Sequence, residues 1–422
     1  MPASESSLLR ADALTAPLPR GLGRLAPIAR SAALAGVRGW KHGCLTLRLP
    51  DGTTHVIGDA RDRERADVRV RDESFFVRVL LRGEMGAGES FVAGEWDSDD
   101  LVLAVRLFLR NLPGLGIETS LTRFARIPAR IRHLLRDNRK AQSEKNIHAH
   151  YDLGNEFYRR MLDPTMAYSC ALYREAGESL ESAQRNKFEG ICNKLDLRAT
   201  DHVLEIGCGW GGFAMHAAST RGCRVTGVTV SREQFALATE RVVAAGLSDR
   251  IDVQFRDYRE IDGRYDKIVS IEMLEAVGHA HYGEFFATCG SLLARDGVML
   301  VQTISMPDHR YEDYRRSIDW MQSYVFPGVS IPSLSALTRA MARHSDLSIH
   351  HLEDIGPHYA PTLRAWRDRY VENLDEIRAL GFDDVFDRTW RLYLSFSEAA
   401  FAERDLGDLQ IVFTRPLNRT LR

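Results

Sequence analysis

At 422 residues the chain is longer than one hydrophobic core organises, and about 150 residues per domain sets an expectation of two units. Hydrophobic residues make up 44% and charged residues 27%, with a formal net charge of -2, so overall charge singles out no partner and carries no nucleic-acid footprint. The six cysteines (Cys44, Cys170, Cys192, Cys208, Cys223 and Cys289) lack C-x-x-C spacing, and no apolar run approaches about 18 residues, which sets an expectation of reduced thiols, a cytoplasmic setting and no membrane-spanning helix.

Arg10, Asp12, Pro17, Pro19 and Arg20 interrupt the Ala- and Leu-rich start before a secretory apolar segment forms, and residues 1–38 are expected to be weakly ordered. Cys44–Leu49 alternates at strand period and meets the turn signal Pro50-Asp51-Gly52. Further strands are expected at Ala66–Val70 and Phe75–Leu81, and Leu101–Leu109 has the unbroken apolar character of a buried helix. Residues 39–115 thus read as a small α+β domain. Over 116–145, Leu121, Phe124, Ile127, Ile131, Leu134 and Leu135 recur at helical spacing between Arg123, Arg126, Arg130, Arg132, Arg136, Arg139 and Lys140. Such a basic amphipathic helix is either a solvated linker packed on a domain or a face drawn to an anionic membrane surface.

From residue 201 strands and helices alternate as in a doubly wound parallel sheet. The expected strands are His202–Ile206, Arg224–Thr229, Ile251–Phe255, Tyr265–Ile271, Gly297–Ile304, Leu347–Asp354 and Asp408–Thr414. Helices are expected near 211–221, 231–245, 281–293, 361–379 and 384–404. Residues 305–345 form an insert of the length used for lids and caps.

The first of these strands runs into Glu205-Ile206-Gly207-Cys208-Gly209-Trp210-Gly211 and then a helix, an arrangement that lets backbone approach a ligand at the strand's carboxyl end. Its E-x-G-x-G-x-G spacing is similar to the loop of S-adenosylmethionine-dependent methyltransferases, rather than to the G-x-G-x-x-G of dehydrogenases. The second strand ends at Thr229, with Gln234 a turn into the next helix, where many nucleotide sheets place an acid for the ribose. Asp257 and Tyr258 follow the third strand, where a carboxylate can accept from an adenine amino group and a ring can cover the base; a turn former and an exposed helix residue are the plain alternatives for Asp257 and Gln234.

Upstream stand H-Y-D-L-G-N-x-F-Y at His150–Tyr158 and Y-S-C at Tyr168–Cys170; downstream, V-T-G-V-T-x-S-x-E-Q ends at Gln234 and S-I-E-M-x-E-x-V-G spans Ser270–Gly278. In this order they resemble the cyclopropane-fatty-acyl-phospholipid synthase family, which includes the mycolic acid cyclopropane synthases. The likeness runs over 146–416, and Gly39–Leu103 is similar to that family's smaller N-terminal domain. The resemblance implies an α/β fold: a seven-stranded, Rossmann-like class I methyltransferase domain over 146–422 behind a small α+β domain. It implies methylene addition across the cis double bond of a phospholipid acyl chain at the inner membrane face, with S-adenosylmethionine as donor, and a homodimer. Tyr168, Ser169, Glu205, Gly207, Gly209, Gly211, Thr229, Gln234, Asp257 and Tyr258 then line the donor site.

Alkenes are feeble nucleophiles, so such a site must align the methyl group, exclude water and stabilise a carbocation, for which Tyr168, Tyr173, Tyr324 and Phe326 are aromatic candidates. The resemblance implies a bound bicarbonate as base, held by Cys170, Glu275, Gln302, Ile304 through its backbone, and Tyr359. Gln302 stands where many members have His, and Ala276 follows the acid in place of the commoner His. Only the family register selects Glu275 over Glu272. Kindred readings are a methylene-branched product, a sphingolipid or small-amine acceptor, and, outside enzymes, a lipid-binding scaffold. No zinc spacing, catalytic triad or Walker loop is visible.

Overall fold

The computed structural model describes residues 18, 21–114, 153–416, 418, 419 and 421. The basic segment Leu121–Lys140 and His150–Asp152 of the first motif lie outside them. The chain divides into two compact units: the described part of Met1–Arg136 with Tyr314–Pro327 and Leu374–Arg404, and the described part of Asp137–Asp313 with Gly328–Asn373 and Asp405–Arg422.

In the first unit, β1 (Cys44–Arg48) turns through Gly52 at φ +84° into β2 (Thr54–Gly58). The Asp51 carboxylate fastens the turn by accepting from the Thr53 N–H at 2.9 Å. β3 (Arg65–Val70) lies parallel to β1 on its other side, and β4 (Trp96–Asp97) completes the order β2-β1-β3-β4. Two expectations are corrected. Ala26–Gly36, inside the stretch expected to be weakly ordered, is a helix. Phe75–Leu81 is not a strand but part of the helix Ser74–Arg82, closed by Gly83 at φ +59°.

A short apolar run is ambiguous between the two states, and tertiary partners decide it. Here consecutive Phe76, Val77 and Arg78 are all buried, and Arg78 Nε reaches both Glu95 oxygens at 2.9 and 3.1 Å. The helix Leu101–Asn111 agrees with its expectation, and the Asp100 side chain caps it by accepting from the Leu103 N–H. The helix Asp384–Ala402 joins this unit, with Arg388 Nη2 donating to the Trp96 carbonyl at 2.9 Å and the Asp97 carboxylate at 3.0 Å.

In the second unit all seven expected strands form one sheet: β5 (His202–Ile206), β6 (Arg224–Thr229), β7 (Ile251–Phe255), β8 (Tyr265–Ile271), β9 (Leu293–Ser305), β10 (Ser348–Asp354) and β11 (Gly407–Thr414). Their order is β10-β11-β9-β8-β5-β6-β7, and β11 alone runs antiparallel to its neighbours. Both faces are covered, as a parallel sheet requires. Val203, Val225, Val269 and Leu300 enter one apolar cluster, while Leu204, Val228, Ile268 and Met299 enter the other. The chain moves outward from β5 in one direction and resumes at β8 in the other, so the switch point lies between these strands, where such sheets bind ligands.

The expected helix 361–379 is two helices, Tyr359–Glu372 and Leu374–Ala379, parted at Asn373, whose side chain donates back to the Arg369 carbonyl at 2.9 Å. Within 305–345 lie the helices Asp308–Arg316, Trp320–Tyr324 and Leu334–His344.

The Arg78–Glu95 pair is buried, and burial raises the Glu95 carboxyl above its ordinary range even with Arg78 beside it. Removing one member of such a pair strands the other. Arg78→Met should lower stability by about 3 kcal/mol in urea unfolding of the full chain; a loss below about 1 kcal/mol would show that the pair contributes no more than a surface contact does.

Candidate functional site

The carboxyl ends of β5, β6 and β8 open on a pocket of about 180 Å³. Gly207, Gly209 and Gly211 all have positive φ (79°, 53° and 80°), which lets the loop double back after β5, and the Gly207 and Cys208 N–H groups both donate to the Val228 carbonyl. A Cβ on Gly207 would stand 2.8 Å from the Met273 side chain, so glycine is required there by space as well as by φ. Gly211 sits behind the lining as the left-handed cap of the helix Gly212–Arg221.

The other nine residues expected at the donor site line the pocket. Glu205 is the most informative: its side chain is buried, its Oε2 has no hydrogen-bond partner, and burial pushes its carboxyl up to about 8. An orphaned buried carboxylate oxygen fits a ligand that brings a cationic donor. Thr229 Oγ1 donates to Gln234 Oε1 at 2.8 Å, which ties the end of β6 to the next helix. Asp257 is gripped by Arg259, at 2.9 Å through Nε and 2.6 Å through Nη2, and accepts from the Arg259 N–H. Tyr258 packs edge-on against Phe285, with Arg259 over its ring. Tyr168 forms an aromatic wall with Tyr158 and Trp366, and Trp210 donates to Asn155 of the H-Y-D-L-G-N motif at 2.7 Å. Of the other aromatic candidates, Tyr173 reaches the Pro361 carbonyl, while in the first unit Tyr324 donates to Glu89 and Phe326 packs on Tyr393.

Beside this pocket is a buried polar cluster. The Cys170 N–H (2.7 Å) and Gln302 Nε2 (2.8 Å) donate to Glu272 Oε1, and the Tyr359 hydroxyl donates to Glu272 Oε2 at 2.6 Å. Glu272 itself lines the donor pocket. Gln302 also reaches Asp408 Oδ2 at 3.0 Å. Glu275 stands next door, its Oε1 accepting from the Ile304 N–H at 2.6 Å and Thr303 Oγ1 at 2.8 Å, and its buried Oε2 without a partner.

The five expected residues Cys170, Glu275, Gln302, Ile304 and Tyr359 therefore do come together, but as two groups, on two carboxyls of the chain. Burial, helped by the neighbouring Glu272, pushes Glu275 up to about 8. Burial and the adjoining Glu272 and Glu275 push Asp408 well above the carboxylate range, and burial raises the Cys170 thiol likewise. Lys187, fully buried with its ammonium on Ser169 Oγ, is the cation facing these acids.

Sequence reasoning passed over Lys187 and Asp408 and set Glu272 aside. A lysine in the apolar stripe Lys187-Phe188-Ile191-Cys192, and an aspartate opening the apolar strand β11, were the available signals. Glu272 carries a third: its φ is +47°, in the left-handed region, where a non-glycine residue costs of order 1 kcal/mol. Met166, also lining the pocket, has φ +58°. Strain of this kind gathers at functional sites.

A glycine loop at the switch point of this sheet, with an orphaned acid facing the pocket, defines a class I S-adenosylmethionine-dependent methyltransferase. Residues 138–411 match the family described as mycolic acid cyclopropane synthetase, and the chain belongs to that family. It is 38% identical to the tuberculostearic acid methyltransferase UfaA1 of Mycobacterium tuberculosis, over 92% of this chain and 91% of that protein. It is 36% identical to the cyclopropane-fatty-acyl-phospholipid synthase of Escherichia coli, over 85% and 90%. Among solved structures, the cyclopropane synthase MmaA2 from Mycobacterium tuberculosis aligns with TM-score 0.60 at 28% identity, covering 64% of this chain and 98% of that one. The mycolic acid cyclopropane synthase CmaA1 complexed with SAH and CTAB aligns with TM-score 0.60 at 29% identity, over the same shares.

A ligand ammonium needs Glu205 ionised, so with its carboxyl at about 8 in the free protein a proton must leave when the ligand binds. Affinity for S-adenosylhomocysteine should therefore rise between pH 6 and 7.5, by at most roughly tenfold per unit. Calorimetry across that range is the check. Glu205→Gln should abolish the pH dependence and weaken binding by about tenfold or more.

Proposed function

We propose that this enzyme adds the methyl carbon of S-adenosylmethionine across the cis double bond of an unsaturated acyl chain in a membrane phospholipid and closes a cyclopropane ring. The observation that carries this reading is the convergence of Cys170, Gln302 and Tyr359 on a carboxylate that lines the donor pocket. Alkylating an alkene leaves a cation that discharges only when a proton is taken from carbon, so an acceptor must stand beside the transferred group, away from water.

When bound, the donor supplies a methyl group made electrophilic by its sulfonium. The chain does the remaining work by position. The glycine turn admits the ligand against backbone, Glu205 offers its unpaired oxygen to the ligand's ammonium, and Tyr168 presents an aromatic wall suited to a passing cation. A bicarbonate held by Cys170, Glu275, Gln302, Ile304 and Tyr359 does not fit these residues, because the Cys170 and Ile304 N–H groups, the Gln302 amide and the Tyr359 hydroxyl are already engaged by carboxyl groups of the chain and only the Glu275 Oε2 is unpartnered, and no step runs through it.

A second reading keeps donor and alkene but ends in a methylene branch, after a hydride shift ahead of proton loss. The 38% identity to a protein named as a tuberculostearic acid methyltransferase favours it, as does Gln302, whose amide cannot titrate as a histidine would. Access to the acyl chain calls for peripheral binding, for which the basic segment Arg123–Lys140 is suited by sequence.

Expression in a bacterium lacking its own synthase, followed by mass spectrometry of membrane fatty acids, separates these outcomes. A chain longer by one CH₂ with its unsaturation gone is the ring, the same gain with unsaturation kept is the branch, and unchanged fatty acids overturn both. Binding to vesicles of anionic phospholipid should fall steeply as salt rises; binding indifferent to salt would remove the basic segment from the account.

A further inference from the structure

Of the polar groups that the family resemblance offers to a free anion, all but the Glu275 Oε2 are in use. The Cys170 N–H, the Gln302 amide and the Tyr359 hydroxyl are spent on Glu272, and the Ile304 N–H on Glu275. An added anion would also meet the Glu272, Glu275 and Asp408 carboxyls, with the buried Lys187 near Glu272 and Asp408. Where the family's register implies a borrowed base, this chain holds the Glu272 carboxylate among the same donors.

We propose that Glu272 is the general base of this enzyme, taking the proton from the carbon just added to the acyl chain. The proposal rests on the reaction read above. Three features of the site support it.

Glu272 is one of the residues that line the donor pocket, and its carboxylate is held beside that lining by Cys170, Gln302 and Tyr359. Its orientation is fixed by donors from three separate segments: Cys170 after the Y-S-C turn, Gln302 on β9 and Tyr359 at the start of its helix. Oε1 already accepts twice from N–H groups, which leaves Oε2, shared with the Tyr359 hydroxyl, as the oxygen that receives the proton. Finally, the residue sits at φ +47°, a conformation that glycine adopts freely and glutamate resists. The fold carries that strain and in return holds a carboxylate in this spot.

The step balances without any further reagent. A C–H bond of the added carbon breaks, its electron pair closes onto the cationic carbon to form the ring, and the proton passes to Glu272 Oε2. After a hydride shift the same electron pair forms the double bond of a methylene branch instead. Once product has left, the proton is lost to water.

The test uses the full-length enzyme, S-adenosylmethionine and vesicles of phospholipid carrying cis-monounsaturated chains, in carbonate-free buffer with and without added bicarbonate. Wild-type turnover should be the same in both. Glu272→Gln should lose about 100-fold or more in kcat, while S-adenosylhomocysteine affinity by calorimetry changes by less than about threefold. Glu272→Gly relieves the backbone and frees all three donors. It should be inactive without bicarbonate and regain about tenfold or more with it, a rescue that a purely structural role would not produce.

Wild-type activity that collapses without bicarbonate, near-normal turnover by Glu272→Gln, or a Glu272→Gly variant that binds donor but is not rescued would each overturn the proposal. A wild-type enzyme that methylates no unsaturated lipid in either buffer would overturn the reading of the reaction itself.

Discussion

A carboxylate partly withdrawn from water is met by donors, and meeting Glu272 organises the polar cluster beside the pocket of the second unit. Its three donors come from places far apart in sequence: the stretch before the first strand, the fifth strand of the sheet, and a helix that begins beyond residue 358. None of them is near Glu272 by chain proximity; the sheet and the segments packed on it bring them there. The same demand explains the acids nearby. Asp408 and Glu275 are themselves buried and also sit in the field of Glu272, and both are pushed toward their neutral forms. A neutral carboxyl adds no charge to a crowded apolar interior and can still position Thr303 and the Ile304 N–H.

The one antiparallel strand is what closes this arrangement. β11 pairs with β9 so that Asp408 stands opposite Ile304 and Gln410 opposite Gln302, and Gln410 Nε2 donates to Gln302 Oε1 at 3.0 Å. That bond leaves the Gln302 amide nitrogen turned to Glu272 and Asp408. A histidine at 302 would offer a ring with one proton to give in its neutral form; the amide offers two, and it spends them on two acids. The amide at 302 thus suits this cluster, because its two protons meet two acids, Glu272 and Asp408.

Legibility in the sequence followed the strength of local pattern. The central strands of the second unit could be read because they are short apolar runs between turn signals that the sheet buries on both faces, whereas the edge strands β7 and β10 carry exposed residues and were read from their place in the alternation of strands and helices. The glycine loop was visible for the same reason, since three positive φ values in five residues leave little choice of residue. Phe75–Leu81 was misread because aromatic and branched residues suit a strand locally, whereas the buried Arg78 and its partner Glu95 answer to tertiary contacts that no window of sequence contains. The helix Ala26–Gly36 lacked a side-chain cap to announce it.

The candidate site was half legible. Residues that line the pocket through loop geometry, such as Glu205 and Gly207, stood in a recognisable motif. Lys187 and Asp408 act through burial instead, and in the sequence each is only a charge interrupting an apolar face.

Glu272 shows why the remaining half is hard. In the string Ser270–Gly278 two glutamates stand three residues apart on a chain leaving β8, and either could serve by composition alone. Backbone conformation separates them. Glu275 lies in a short 3₁₀ turn and reaches back to β9, whereas Glu272, at the left-handed residue just past the strand end, is turned toward Cys170 and Tyr359. Glu272 lies just past the end of β8 with φ +47°, outside the extended backbone on which strand alternation rests, so the pattern of β8 does not extend to it. The costly backbone conformation thus stands at the residue whose carboxylate gathers Cys170, Gln302 and Tyr359.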